Sequence, residues 1–317
     1  MGICFVVRDR KVGSAHLRAS QLACELNKRE TRCDVLDWKG LWASRATSQN
    51  WVRLAIFVKE WEPSLARLIK SRTEAKISYD LVDSTLLFHG EAHGEAYCDV
   101  DFFIVSSNYQ KLALEQRSIG VEREVWTIPH HHSNLIGVRI DPEQRVKTVG
   151  FLGDITNQLP TEFEAELHEL CKKLGINWRT TYVHEFQQTH RTDSPEELNI
   201  RLHQHLNELD ISVIYPPVGT VRNGCSYKTP LNWDYLLYKP ATRLLNCLSH
   251  GIPTVAFPYV SYLEVCSTDG YPLLEVRPEG ILDIVLQLIG SAKMRRAVSQ
   301  LGLQISERYS IERVCIR

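Results

Sequence analysis

At 317 residues, 44% hydrophobic and 24% charged, the chain has the composition of a soluble globular protein, with length for two cores of about 150 residues each. A formal net charge of −1 excludes capture by nucleic acid or an anionic membrane through whole-chain electrostatics, and no run reaches the roughly 18 uninterrupted apolar residues of a transmembrane helix. Nine cysteines, an odd number with no C-x-x-C pair, read as reduced thiols and, with an N-terminus that enters a strand without a signal-peptide apolar region, predict a cytoplasmic protein.

Residues 3–7 are a short apolar run that predicts the first strand of a parallel sheet. A loop over 8–14 holds Gly13 and Ser14. Ala15, Ala19, Leu22, Ala23 and Leu26 then recur at helical spacing, and 33–36 predicts a second strand. This is a βαβ unit without G-x-G-x-x-G, so a nicotinamide or flavin site is not expected. His16 and Arg18 fall in the first turns of that helix, where Arg18 can be a solvated surface charge. Trp38, Trp42 and Trp51 read as core-packing residues, with contact to a lipid-linked acceptor as the alternative. Strands are predicted at 54–58 and 77–82, with a helix between them from Pro63. The second strand ends in Asp80 and Asp83.

Three stretches invite a metal and are read otherwise. His89, Glu91, His93 and Glu95 alternate through a run with two glycines and no cysteine at ligand spacing. Asp99 and Asp101 form Asp-x-Asp, but they lead directly into an apolar strand at 102–106 and read as solvated strand-entry residues. His130, His131 and His132 are consecutive, and adjacent side chains on an extended chain splay apart rather than chelate one ion. They follow a strand at 124–129 and read as the crossover into a second domain.

That second domain repeats the βα opening. A strand over 147–152 leads to Gly153 and Asp154, and Phe163, Leu167, Leu170, Cys171 and Leu174 mark a helix. A strand at 177–183, a helix at 195–209 and a strand at 211–215 follow. Residues 216–234 read as a long loop. Beyond 264 the pattern predicts a strand at 273–276, helices at 280–289 and 291–306, and a tail.

The most informative stretch is YKPATRLLNCLSHGIPTVAFPYVSYLE, over 238–264. Pro240 fits a first helical turn, Ala241, Leu244, Leu245 and Leu248 form one apolar stripe, and His250-Gly251 is a stop. A strand over 252–257 and a loop carrying Glu264 complete it. Lys239, Thr242 and Arg243 gather at the helix start, where free N–H groups and the helix dipole favour a phosphate. An ordinary amphipathic αβ unit with solvated lysine and arginine is the other reading.

This block resembles the donor-binding region of GT-B glycosyltransferases related to the group 1, retaining type, some of which read K-P-x-x-R-L-x-x-x-L-x-x-G-x-P before a Y-x-E loop. The opening VGSAHLRASQLACEL and the strand YDLVD also look like that family. The resemblance implies an α/β fold of two Rossmann-like domains with mostly parallel sheets and an interdomain cleft. The acceptor-side domain would span 1–140 and the donor domain 141–300, with a tail over 301–317 crossing back to the first domain. It implies a metal-independent transfer of a sugar from a UDP- or GDP-linked donor to a glycan, lipid-linked or protein acceptor, with no cofactor. Gly13, Ser14, Gly153, Asp154, Lys239, Pro240, Ala241, Thr242, Arg243 and Glu264 would bind the donor. His89, Lys239 and Arg243 would be catalytic, and His16, Arg18, Asp80, Asp83, His93 and His131 would line the acceptor side. An inverting enzyme would need a base, available in His16, His89 or Asp83. The glutamate pair usual on the family's donor helix is replaced by Tyr238 and Asn246. That keeps two alternatives open: a nucleotide-sugar epimerase, and a non-catalytic nucleotide-sugar-binding or interaction protein.

Overall fold

In a computed structural model the described residues are 2–10, 13–43, 51–83, 97–116, 123–133, 144–153, 159–182, 195–216, 220–222, 225–227 and 237–316. They form two compact units. The first comprises Met1–His131, Leu237–Pro240 and Ile311–Arg317, and the second comprises His132–Leu236 and Ala241–Ser310. The expected boundary at 140/141 lies outside the described residues.

Six strands build the first unit: β1 (Gly2–Val7), β2 (Arg32–Asp37), β3 (Leu54–Val58), β4 (Lys76–Asp80), β5 (Phe102–Val105) and β6 (Glu124–Thr127). They make one sheet in the order β2-β1-β3-β4-β5-β6, parallel at every pairing. Both faces of such a sheet are covered, which is why these strands read as continuous apolar runs. Cys4 and Val6 face one core, closed by Leu65, Ala66 and Ile69 of the Pro63–Arg72 helix. Phe5 and Val7 face the other, closed by Ala15, Ala19, Leu22 and Ala23, and by Ile311 and Val314. Pro63 opens its helix because the first turn needs no proline N–H, and the Glu62 carboxylate accepts from the Ser64 N–H at 3.1 Å. The first helix starts at Gly13 and passes through a π-helical segment, His16–Gln21, before continuing as Leu22–Lys28. Trp38 and Trp51 pack against the first core, whereas Trp42 is half exposed, against the expectation of packing for all three.

The second unit has β7 (Thr148–Gly153), β8 (Asn177–Tyr182), β9 (Ile211–Ile214) and β12 (Thr254–Ala256) in one parallel sheet, ordered β12-β9-β7-β8. The stretch expected as a structureless loop holds a short antiparallel pair, β10 (Thr220–Arg222) and β11 (Cys225–Tyr227). The expected strand at 273–276 is reduced to a single bridge between Ala256 and Leu274. The helix Thr161–Leu174 stops at Gly175, whose φ of 65° is the left-handed conformation that glycine adopts without a Cβ penalty. The helix expected at 291–306 is present as Ala292–Glu307, with Val298, Gly302 and Ile305 buried along it, so the tail that the family resemblance put at 301–317 is helical through 307. The residues from Ile311 onward belong to the first unit.

A pair of histidines closes one edge of this second core. His250 donates from Nδ1 to the Asn246 carbonyl at 2.9 Å, which leaves its Nε2 to accept from His203 Nδ1 at 3.0 Å. Burial holds both His250 and His205 at about 4. Their neutral form is native, while an unfolded imidazole protonates near 6.5. Their contribution is therefore complete above about pH 6.5 and drains away as pH falls toward 4. Melting temperatures should drop over that window, and His250→Gln should make the drop shallower. An equally steep drop in the variant would remove His250 as the cause.

Candidate functional site

In the first unit, polar side chains collect at the carboxyl ends of the strands, the edge where open parallel sheets bind ligands. Arg18 and Asp80 meet there as a buried pair, with Nε and Nη2 at 2.8 and 2.7 Å from Oδ2, and Arg18 Nη1 donates to the Pro129 carbonyl at 3.2 Å. Arg18 is only 1% exposed, which corrects the surface-charge reading. Sequence spacing could not reveal this, because the partner sits 62 residues away at the end of β4. The pair borders a cavity of about 200 Å³ otherwise lined by apolar side chains such as Phe5, Ile56, Ile104 and Trp126.

Asp83 lies three residues beyond the end of β4 and takes Lys59 Nζ on one oxygen at 2.9 Å and Lys239 Nζ on the other at 3.4 Å. Burial alone would raise the Asp83 carboxyl, but the charges of Lys239 and Lys59 outweigh it and hold it at about 2. His130 is buried beside them, and burial together with the Arg18 and His131 charges drives its imidazole well below the usual histidine range. His131 donates from Nε2 to the Leu17 carbonyl at 2.8 Å, and all three histidines of the triplet are buried. His16, also buried, accepts from Gln21 Nε2 at 3.2 Å.

Gln110, which sequence reading missed, ties this edge together from a fully buried position. Its Oε1 accepts from the Ser106 N–H and hydroxyl at 2.6 and 2.9 Å, and its Nε2 donates to the Val82 and Tyr238 carbonyls at 3.1 and 3.0 Å. The only signal in the sequence was its place in the first turn of the Asn108–Glu115 helix, capped by Ser107, which accepts from the Gln110 N–H.

The Asp-x-Asp motif has a structural task. Asp101 is exposed at the strand entry, as expected, and there it accepts from the Ile77 N–H at 2.7 Å and pairs with Lys70 at 3.2 Å, which pins the entry of β5 to β4. Gly13 is exposed and Ser14 is half-buried. Among the described residues a Cβ on Gly13 would meet no atom within 4 Å.

In the second unit the helix of the 238–264 block runs Thr242–Ser249, starting two residues later than the expected Pro240. Ala241, in a turn conformation with ψ near 10°, occupies the cap position, so Pro240 stays outside the helix and belongs with Lys239 to the first unit. Ala241, Leu244, Leu245 and Leu248 are all buried, as the stripe predicts, and Gly251 ends the helix with φ 68°. Alanine has no side-chain acceptor, so the first-turn N–H groups are not capped by residue 241. Arg243 is the second residue of that turn and half-buried. Glu264 lies on a helix, Val260–Cys266, rather than in a loop. Tyr259, Tyr262 and Val265 are buried at helical spacing and pull the segment into that form. The side-chain Oδ1 of Asn246 accepts from the Ser133 N–H at 2.7 Å, while its backbone carbonyl is the His250 acceptor. Tyr238 is buried in a core of the first unit. The residues at the two family glutamate positions are thus structural. His89, His93 and Asp154 lie outside the described residues.

Two Rossmann-like units with all-parallel main sheets, in this strand order, define the GT-B architecture. The chain is similar over 99% of its length to Anabaena HepE, solved with UDP and glucose: TM-score 0.64, 11% identity, 97% of that chain. Sucrose-phosphate synthase from Thermosynechococcus elongatus matches 100% of this chain and 97% of its own, with TM-score 0.63 and 8% identity. The pneumococcal O-GlcNAc transferase GtfA, solved with UDP and GlcNAc, matches 87% of this chain with TM-score 0.52 and 15% identity. The chain spans 58% of the length of GtfA and 55% of the matched chain of the GtfA/B complex. No protein-family model and no curated protein matches the sequence. At these identities the likeness establishes the fold.

Proposed function

We propose that the protein is a glycosyltransferase that moves a sugar from a UDP- or GDP-linked donor to an acceptor hydroxyl without a required metal ion. The observation that carries this reading is the start of the Thr242–Ser249 helix, on a GT-B fold, with Arg243 in its first turn and no side-chain cap from Ala241. First-turn N–H groups, the helix dipole and a guanidinium together stabilise a departing diphosphate as its charge develops. Two solved structures of the similar HepE contain UDP with glucose and UDP-glucose, which favours a uridine donor. Gly153, Asp154, Thr242 and Glu264 remain the further donor-side residues of this reading, and Gly13 and Ser14 its first-unit loop. The acceptor is a glycan, a lipid-linked sugar or a protein, and a cytoplasmic setting suits an odd cysteine count without a C-x-x-C pair. No described helix is long and apolar enough to cross a membrane.

Among the acid–base candidates Asp83 is the weakest, because the charges of Lys239 and Lys59 hold its carboxyl at about 2, far too low for it to take a proton efficiently near neutral pH. His89 is the residue proposed for proton transfer. Metal independence is supported by Asp101, whose carboxylate is occupied by the Ile77 N–H and Lys70. Incubation with a panel of UDP- and GDP-sugars should release nucleotide diphosphate and glycosylated acceptor, and turnover should survive exhaustive chelation. Loss of activity on chelation, restored by manganese or magnesium, would reverse the metal assignment. An epimerised sugar without released nucleotide would identify an epimerase, and binding without turnover of any donor would leave a binding protein.

A further inference from the structure

The lining of the cavity of about 200 Å³ in the first unit fixes its shape. Its floor comes from five neighbouring strands, β1, β3, β4, β5 and β6, with Phe5, Ile56 and Ile104 among the contributing side chains. Strands lie about 4.8 Å apart, so the cavity crosses the sheet for a distance on the order of 15 Å. One wall is the Leu22–Lys28 helix, through Leu22 and Leu26. The other is the short Ile311–Val314 helix, through Val314 and the Cys315 that follows it. Arg29 steadies this second wall by donating from Nη2 to the Glu312 carbonyl at 3.2 Å. Trp126, half exposed and packed on Phe102 with ring centroids 5.0 Å apart, stands at the open side.

Protein interiors leave few voids larger than a water molecule, and an unfilled apolar void lowers stability in proportion to its volume. Water is a poor occupant here, because a buried water needs about two to four polar partners. Among the described residues the only charged side chains in the lining are Arg18 and Asp80, whose charges cancel. Both are engaged within the protein. The guanidinium binds the Asp80 Oδ2 and the Pro129 carbonyl, and the Asp80 Oδ1 accepts from the Val82 N–H at 3.2 Å. The cavity therefore offers an occupant apolar surface and no net charge, which selects a neutral apolar group. An apolar cavity of about 150 Å³ takes one six-carbon ring, so this one has room for roughly eight carbons. Its extension across five strands suits a linear chain better than a ring.

We propose that this trough binds a linear alkyl chain of roughly eight carbons, carried by a soluble amphiphile whose polar end stays at the rim beside Trp126. The inference does not rest on the transfer reading, although Arg18 and Asp80 border both the trough and the carboxyl edge of the sheet.

Calorimetric titration of the full chain with butanol, hexanol, octanol and decanol, all as primary alcohols, tests it. Saturable binding is expected, with affinity rising about fourfold per added methylene as far as octanol. It should level off at decanol, whose extra carbons lie outside the cavity. Octanediol, with a hydroxyl at each end, should bind about tenfold more weakly than octanol, because one hydroxyl is buried without a partner. Cys315→Trp fills the trough from its half-buried rim and should weaken octanol binding by more than about tenfold. Trp126→Ser changes a half-exposed side chain, so the fold should persist while octanol binding weakens about threefold. This second variant decides the matter where Cys315→Trp does not fold. Absence of saturable binding, affinity that keeps climbing from octanol to decanol, or octanol affinity unchanged in the folded variants would overturn the proposal. Co-sedimentation with phosphatidylcholine vesicles without saturable alcohol binding would overturn it in favour of a membrane contact.

Discussion

Replacing Arg18 with alanine should destabilise the first unit by about 3–5 kcal/mol, the cost of leaving a buried partner charge uncompensated. Arg18 is the only described cation within hydrogen-bond reach of the Asp80 carboxylate, and both side chains are almost fully buried. In the variant the lone carboxyl can escape the penalty by binding a proton, so the deficit should shrink as pH is lowered from 8 to 5. The double replacement Arg18→Met with Asp80→Leu should recover much of the loss, since an apolar pair of similar volume avoids desolvating two charges. Melts of the three variants across that pH range decide the matter. A single variant within about 1 kcal/mol of the parent would mean that water reaches the pair.

The second large effect concerns ligand rather than stability. Arg243→Ala should weaken UDP or GDP binding by about one to two decades, from a charge-assisted contact of roughly 1.5–3 kcal/mol. The fold should persist, because the helix keeps its buried face of Leu244, Leu245 and Leu248. Leu244→Ala should do the reverse. Leu244 is fully buried, so its truncation should cost about 2–5 kcal/mol of stability with little direct effect on nucleotide affinity. Calorimetric titration beside thermal melts separates the two. If Arg243→Ala binds both nucleotides as the parent does, the phosphate-binding role of this helix is lost.

Much of the architecture was legible because it rests on local periodicity. The strand at 54–58, the helix opened by Pro63, the helix expected at 280–289 and the stripe through Leu244 and Leu248 follow from apolar spacing and start or stop signals alone. The similarity to GT-B transferases was carried by the same local block. What stayed hidden were consequences of distant contacts. Arg18 reads as a helix-surface charge until Asp80 is brought beneath it. Glu264 reads as a loop acid until the spacing of Tyr259, Tyr262 and Val265 is weighed against the preceding proline. Lys239 reads as a helix-start residue, yet the turn at Ala241 leaves it on Asp83 in the other unit. The positive φ of Lys59, 67°, has no signature in residue type, since only glycine, asparagine and aspartate advertise that conformation.

The first unit is assembled from three stretches of chain separated by more than a hundred and then seventy residues, and this sets an order of events during synthesis. A nascent chain that has emerged only through His131 has all six strands of the sheet but lacks Tyr238 for one core and Ile311 and Val314 for the other. Its amino-terminal part must wait, incomplete, while the two stretches of the second unit, His132–Leu236 and Ala241–Ser310, are translated. A fragment cut at His131 should therefore expose apolar surface and aggregate. Adding the missing stretches back as separate peptides would have to supply by concentration what the intact chain supplies by tethering.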